Sequence, residues 1–131
     1  MALGTLAADF VQSGSSLAPP KIVDSSAIEI GTTCRAWANF NGASGALRGS
    51  FNISSVTRTA LGFYTIAMTN ALPDANYAIV GSASSPDNTT GRVFEIDGLI
   101  TMSTTGFGVK SQNALNNTYY DTAIGCLAVF R

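Results

Sequence analysis

The stretch that decides the fold is Cys34-Arg35-Ala36-Trp37-Ala38-Asn39-Phe40-Asn41-Gly42. Its residues up to Phe40 alternate with period two, which is typical of a strand whose two faces differ. Asn41-Gly42 is a strong turn signal, so we predict that the strand ends there. Trp37, the only tryptophan of the chain, shares a face with Arg35 and Asn39 and is predicted to be half exposed.

Short segments of the same kind fill the rest of the chain, separated by turn residues such as Pro73-Asp74 and the run 84–88. In the second segment the apolar pattern changes parity before Val56, which indicates a bend or a bulge. Many short strands between turns predict an all-β fold, an antiparallel β-sandwich of jelly-roll-like type. The predicted strands are 34–40, 46–58, 62–69, 77–82, 92–96, 99–103, 106–110 and 118–130.

The last predicted strand carries apolar residues on both faces. Cys126 and Phe130 fall on one face, and Leu127 and Val129 fall on the other. A strand with two apolar faces is either central in a sheet or buried between packed subunits. The sequence leaves both alternatives open.

Residues 1–33 differ from the rest and are predicted to be an N-terminal arm preceding a β-domain at 34–131. Ser13-Gly14-Ser15-Ser16 and Pro19-Pro20 are loop or extended signals. A small apolar anchor with helical spacing precedes them. It consists of Leu3, Leu6, Ala7 and Phe10.

The composition favours a protein that works in contact with partners. Only 11% of the 131 residues are charged and the net charge is −1, whereas 46% are hydrophobic. An isolated monomer usually carries more charge than this. The seven basic residues are scattered, which argues against nucleic acid as a partner. No apolar run is long enough for membrane insertion, and Met1–Phe10 lacks the basic start of a secretory signal, so we expect synthesis in a cytoplasm without signal-directed export.

The side chains on which most enzymes depend are missing. The chain has no histidine, which removes the commonest general base and the commonest zinc ligand. Cys34 and Cys126 are 92 positions apart and are expected to be free thiols rather than a disulfide. Glu95 and Asp97 would share a strand face, but exposed polar positions beside a turn explain them better than a catalytic pair. We predict no catalytic residue, no cofactor and no metal; calcium binding by Asp87, Asn88 and Asp97 has no supporting spacing.

The stretch Cys34–Gly42 resembles the CRAWxNFNG signature of bacteriophage tail-fibre-type proteins, particularly those of aquatic and cyanobacterial phages. The resemblance continues through Leu47–Val56, Gly62–Ile66 and Leu72–Ala78, in the order that the family has them. It covers residues 34–83. Arg58-Thr59-Ala60 departs from the family, which commonly has an acidic and glycine-rich turn there.

The resemblance implies a virion structural protein, not an enzyme. We expect a short tail fibre or tail appendage, assembled in the host cytoplasm, that displays a homotrimeric β-domain for host-surface attachment. The arm would dock onto other virion proteins through Leu3, Leu6 and Phe10. Alternatives are a capsid decoration protein that stabilises the particle, and a monomeric lectin-like module or small hydrolase.

Contact with a host glycan or protein is expected through the loops 41–46, 57–61, 84–91 and 111–117, which are rich in Asn, Ser and Thr. Exposed aromatic residues would serve as anchors, although core or interface packing is the commoner role of such residues. The predicted binding residues are Trp37, Arg58, Asp87, Asn88, Asn116 and Tyr119.

Overall fold

We describe the fold from a computed structural model, whose described residues are 22–85 and 91–131. The chain divides into two compact units between Thr32 and Thr33. Some of the predicted functional residues lie outside the described residues. They are the docking residues Leu3, Leu6 and Phe10 and the binding residues Asp87 and Asn88.

In the first unit the described residues form a small antiparallel hairpin, in which β1 (Ile22–Val23) pairs with β2 (Glu29–Gly31). The Asp24 carboxylate shapes its turn by accepting hydrogen bonds from the amides of Ser26 and Ile28, each at 2.9 Å. A short polar side chain that bonds to the backbone ahead of it is a common way to close a turn.

The second unit is a single eight-stranded antiparallel sheet that nearly closes into a barrel. This confirms the prediction of an all-β antiparallel fold. Across the sheet the strands follow the order β4-β3-β10-β7-β8-β9-β6-β5. They are β3 (Cys34–Phe40), β4 (Leu47–Phe51), β5 (Ile53–Ala60), β6 (Phe63–Met68), β7 (Ala78–Ala83), β8 (Arg92–Ile96), β9 (Gly106–Asn113) and β10 (Gly125–Phe130).

Asn52 brings the two edges of the sheet together, because it is the single residue between the edge strands β4 and β5. Its φ of 54° is in the left-handed region, which Asn tolerates better than most residues. Its side chain donates to the carbonyls of Arg35 and Asn70, each at 3.2 Å, and accepts from the Asn70 amide at 2.7 Å. The parity change before Val56 corresponds to a separate irregularity, a register shift between Ile53 and Ser55 in the pairing of β5 with β6.

The inner faces of the strands form one core. Ala36, Ala38 and Phe40 are buried in β3, as the alternation predicts, while Trp37 between them is 43% exposed. Tyr64, Ile66 and Phe107 add the largest buried side chains. Among the described residues no helix has the length and apolarity that crossing a membrane requires. The buried apolar residues are Ala36, Ala38, Phe40, Ile53, Val56, Tyr64, Ile66, Met68, Leu72, Tyr77, Phe107, Val109, Leu127 and Val129.

Strand β10 is central, with β3 on one side and β7 on the other. Leu127 and Val129 point into the core, whereas Cys126 and Phe130 are half-buried on the outer face. The central position is therefore confirmed, while burial of the outer face between subunits stays a prediction. Cys34 and Cys126 are free thiols, as predicted.

The strand predicted at 99–103 does not exist. The Asp97 carboxylate accepts a hydrogen bond from the Leu99 amide at 3.1 Å, and the Asp97 carbonyl accepts one from the Ile100 amide at 3.1 Å. These bonds form a turn. Of the apolar residues that resembled a strand, Leu99 is exposed and Met102 packs against the core. Only Ser103 makes an isolated bridge, to Gly106.

One junction in the sheet is incomplete. Strands β7 and β8 meet only at Ala83 and Arg92, next to their connection, and no other residue pair joins them. The Ser84 amide donates to the Ile124 carbonyl, so the backbone groups of Ser84 point towards the β10 side. Backbone groups alternate in direction along a strand, so those of the odd-numbered residues Ile79 and Gly81 point away from β10 and towards β8. Ile96 lies on the core side of β8 and is still 50% exposed. The barrel is therefore open at this seam.

Candidate functional site

Four chain connections gather at one end of the barrel, which we call the loop end: 41–46, 61–62, 84–91 and 114–124. The register of the sheet dictates this arrangement, because Gly125 lies opposite both Phe40 and Ala83, and Arg92 lies opposite both Ala83 and Asn113. Residues 86–90 of the third connection are outside the described residues. Loops at one end of a rigid sheet are a common place for binding residues.

Backbone and side-chain hydrogen bonds join these connections to one another. The Gly42 amide donates to the Thr122 carbonyl at 2.9 Å, and the Thr122 hydroxyl lies 2.9 Å from the Ser84 carbonyl. Ser84 Oγ in turn accepts from the Ile124 amide at 2.8 Å. The third and fourth connections also meet where the Ala114 amide donates to the Gly91 carbonyl at 3.1 Å. The loop end is therefore one bonded structure and not four separate loops.

Asp121 is the centre of a polar network at this end. Its carboxylate accepts from Arg58 Nε at 2.8 Å and from the Gly62 amide at 2.9 Å, and it lies 3.4 Å from the Tyr64 hydroxyl. The Tyr64 hydroxyl accepts from the buried amide of Thr122 at 3.1 Å. The network thus fixes the turn between β5 and β6 to the segment that leads into β10.

The network changes the protonation equilibria of its members. Burial raises the pKa of Tyr64 to about 12, because ionisation would place a charge among core side chains. For Asp121, burial acts to raise the pKa, but hydrogen bonds from Arg58 and from the Gly62 amide outweigh it and hold the pKa below its ordinary value. Both groups therefore keep the states that the hydrogen bonds need, a neutral phenol and an ionised carboxylate.

Two glycines make this close approach possible. A Cβ on Gly42 would lie 2.4 Å from the Thr122 carbonyl oxygen and 2.5 Å from the Tyr64 hydroxyl. Gly62 has a φ of +76°, a left-handed conformation that glycine adopts without steric cost. Asn41-Gly42 was predicted to be a turn, and the structure shows in addition that Gly42 contacts the buried polar network.

Aromatic and charged side chains form a second group of contacts, centred on Tyr119 and Lys110. The Tyr119 ring packs against Phe63 with centroids 4.6 Å apart, and Lys110 Nζ lies 5.7 Å from the Tyr119 ring centroid. Lys110 also forms a 3.1 Å ion pair with Glu95. Hydrogen bonding to Glu95 is the main cause of the raised pKa of Lys110.

Arg92 and Ser111 were not predicted as functional residues, yet both carry buried polar atoms without a partner. The Nε and Nη1 atoms of Arg92 and the Oγ atom of Ser111 are buried and make no hydrogen bond. The Arg92 guanidinium lies 4.2 Å from the centroid of the Tyr120 ring. A single Arg at the start of a strand does not reveal in the sequence that its side chain will be partly buried without a hydrogen-bond partner.

The predicted binding residues do not all come together. Arg58 bonds to Asp121, whereas Tyr119 contacts Phe63 and Lys110, and both Tyr119 and Asn116 lie in the 114–124 connection of the same end. Trp37 lies elsewhere, on the outer face of β3 in the side of the barrel. Arg58 is bonded to Asp121, so its Nε is not free for a ligand.

Two of the predicted binding loops include residues that belong to strands. Residues 57–60 belong to β5, and residues 111–113 belong to β9. Ser111, Gln112 and Asn113 resembled a loop because they are polar, but they are buried at 0%, 7% and 6% exposure and pair with β8. A buried polar side chain in a strand normally has a hydrogen-bond partner, which Gln112 and Asn113 have and Ser111 lacks. Asn113 Oδ1, for example, accepts from the Leu115 amide.

Glu95 and Asp97, the acidic residues considered as a catalytic pair, each take part in other interactions. Glu95 is bonded to Lys110 and Gln112, and Asp97 is buried and shapes its own turn. No cluster of three His, Cys, Asp or Glu side chains suited to a metal ion occurs in ranges 22–85 and 91–131.

A second surface feature lies on the side of the barrel, where four residues of neighbouring strands form a row that we call the side row: Phe51, Trp37, Ala128 and Val80. Trp37 is paired with Phe51 on β4 and with Ala128 on β10, which is paired with Val80 on β7. The exposed fractions are 55% for Phe51, 43% for Trp37 and 54% for Val80. Three large apolar side chains are therefore aligned on the outer face.

Comparison with known proteins found no matching family model, no matching curated protein and no matching solved structure. The tail-fibre resemblance of residues 34–83 accordingly stays a prediction based on its motifs.

Proposed function

We propose that this chain is a non-enzymatic structural protein of a bacteriophage virion, a short tail fibre or tail appendage. Its β-domain assembles as a homotrimer through the side row and presents the loop end to the host surface. The side row is the observation that carries the proposal, and the resemblance of residues 34–83 supports the phage assignment.

An exposed, aligned group of apolar side chains is typical of an interaction surface. Trp and Phe are enriched at the centres of protein interfaces, where they displace much water for little loss of conformational freedom. The low charge of the chain, 11% of its residues, points in the same direction. Because the side row lies on the barrel wall, packing of copies along it leaves the loop end free to bind.

In this proposal the arm of residues 1–33 docks onto other virion proteins. The loop end contacts a host glycan or protein through hydrogen bonds from its polar residues, with Tyr119 and Tyr120 as aromatic neighbours. The free thiols Cys34 and Cys126 agree with assembly in a reducing host cytoplasm.

Sedimentation analysis of the purified chain tests the assembly. We expect a trimer for the unchanged protein and a monomer for Phe51→Lys or Val80→Lys, because a buried ammonium group in the side row would be desolvated without a partner. Leu99→Lys is the matched control, since Leu99 is 92% exposed and outside the row. A monomeric unchanged protein would contradict the trimer and favour the lectin-like alternative.

Electron microscopy of whole particles tests the location. Density for this chain on the tail supports the proposal, and density at capsid lattice junctions would make it a decoration protein instead. Deletion of residues 2–20 should abolish incorporation into particles, and an unchanged copy number on virions would refute the docking role of the arm. Absence of the chain from purified particles would refute the virion assignment altogether.

A further inference from the structure

Arg92 is the most unusual charged residue of the β-domain. It begins β8 at the loop end and is half-buried. Its Nε and Nη1 atoms are shielded from solvent and have no hydrogen-bond partner, although guanidinium groups in proteins normally find acceptors. The Tyr120 ring lies 4.2 Å from the guanidinium carbon, so the group is held in place by stacking while the donors on Nε and Nη1 are unused.

Ser111 provides a second unused polar atom on the same side of the sheet. Arg92 lies opposite Asn113, and Phe94 lies opposite Ser111, so Arg92 and Ser111 are diagonal neighbours across β8 and β9. Diagonal neighbours on one face are about 7–8 Å apart, which a long arginine side chain can span. Ser111 is fully buried and its Oγ has no partner.

Tyr120 connects these two residues. Its amide donates to the Ser111 carbonyl at 3.2 Å, while its ring stacks on Arg92. Tyr120 is 37% exposed, so the group lies directly beneath the surface of the loop end. We call Arg92, Ser111 and Tyr120 the arginine cluster.

Within ranges 22–85 and 91–131 no carboxylate balances the charge of Arg92. Asp121 is bonded to Arg58, and Glu95 is bonded to Lys110 and Gln112. A partly buried cation without a counter-charge is unfavourable, because the hydration that its shielded nitrogens lose is not replaced. A water molecule could accept hydrogen bonds here, but it would leave the positive charge unbalanced.

We propose that the arginine cluster binds a carboxylate group of a ligand. A carboxylate supplies the negative charge and has lone pairs for both the guanidinium N–H groups and the Ser111 hydroxyl. The planar guanidinium, fixed by the Tyr120 ring, is well suited to carboxylate recognition. The binding itself does not depend on the proposed virion function; if that function holds, the ligand is an acidic saccharide on the host surface.

The carboxylate can come from a small free acid or from an acidic sugar, and nuclear magnetic resonance separates these sources. The Nε–H signals of the arginine side chains are followed while sodium acetate or sodium glucuronate is added at constant ionic strength. Glucose serves as the uncharged control for glucuronate. We expect a saturable shift of the Arg92 signal with at least one carboxylate and none with glucose.

The relative affinities identify the source. Glucuronate binding roughly tenfold or more tightly than acetate indicates a sugar-acid site, since that ratio needs contacts beyond the carboxylate. Equal affinities indicate a site for any small carboxylate. If neither acetate nor glucuronate produces a saturable shift of the Arg92 signal, the proposal is wrong.

Variants test the residues. Arg92→Gln removes the Arg92 signal, so binding to the variants is followed through the backbone amide signal of Tyr120. Arg92→Gln should weaken binding by about tenfold or more, and Ser111→Ala by roughly threefold to tenfold, in line with the loss of charged and neutral hydrogen bonds. Ser111→Ala removes an atom without a partner in the protein, so it is expected to fold even if Arg92→Gln does not. Arg35→Gln is the matched control, because Arg35 Nη1 is also buried and unpaired but lies on β3 at the opposite end. Equal weakening by Arg35→Gln would contradict a local site.

Discussion

Arg58 and Asp121 are 63 residues apart in the chain, and Arg58 Nε donates to both carboxylate oxygens of Asp121, at 2.8 and 2.9 Å. The same carboxylate accepts the Gly62 amide and lies next to the Tyr64 hydroxyl. The Asp121 side chain therefore joins the turn between β5 and β6 to the segment that leads into β10. The shape of the loop end depends on this contact.

Asp121→Asn should lower the free energy of unfolding by about 1 kcal/mol at neutral pH, because the amide is a weaker acceptor and both partners are partly exposed to solvent. The pKa of Asp121 is depressed in the folded state, so its contribution is present above the unfolded pKa of about 4 and is lost as the pH falls through the lower folded pKa. Urea unfolding between pH 2 and 7 should therefore show a smaller acid loss in the variant. Asp24→Asn, in the hairpin of the first unit, is the control for the loss of one negative charge away from the loop end.

Tyr64 should limit stability in alkali. Its folded pKa of about 12 is above the unfolded value of about 10, so its contribution is present below pH 10 and is lost as the pH rises through 12. Tyr64→Phe should lose less stability than the unchanged protein between pH 10 and 12. It should also be less stable at pH 7 by about 1–3 kcal/mol, because the Thr122 amide loses its acceptor. Parallel alkaline losses in the two proteins would disprove this role.

Gly42→Ala should destabilise the β-domain by about 1–3 kcal/mol, because the added methyl group would collide with the Thr122 carbonyl and the Tyr64 hydroxyl. Gly98→Ala is the matched control: a Cβ on Gly98 has no atom within 4 Å, so its effect should stay within about 0.5 kcal/mol. Thermal or urea unfolding of both variants measures the difference. Similar losses for the two would mean that Gly42 is not in this contact.

Amide hydrogen exchange should show the open seam. The Val80 and Ser82 amides point towards β10, whereas the Ile79 and Gly81 amides point towards β8, where no residue pairs with them. We expect Ile79 and Gly81 to exchange much faster than Val80 and Ser82, as unpaired amides do. Equal protection along β7 would show that the seam is closed in solution.

Some features could be read from the sequence because they depend on neighbouring residues. The alternation of residues 34–40 predicted which side chains of β3 are buried, and Trp37 is half exposed as expected. The two apolar faces of the last strand indicated a central or interface position, and the strand is central. In each case the period of a strand is a local property of the backbone.

Other predictions failed because hydrogen bonds that the hydrophobic pattern does not reveal decided the local structure. Ser111, Gln112 and Asn113 were assigned to a loop, but pairing with β8 places them in a buried strand. The apolar run at 99–103 resembled a strand, but hydrogen bonds to Asp97 fold it into a turn. Arg58 was expected in a loop, whereas it lies in β5, and its role in binding stays a prediction.

By itself the sequence determined the class of the fold, the faces of the principal strands and the free state of both thiols, since these follow from periodicity and composition. Only the tertiary structure decided that four connections meet at one end and that the side chains of Phe51, Trp37 and Val80 align. It also decided that polar side-chain atoms of Arg92 and Ser111 have no hydrogen-bond partner. The reason is that strand order and register bring distant residues together through long-range hydrogen bonds, and these leave no periodic trace in the chain.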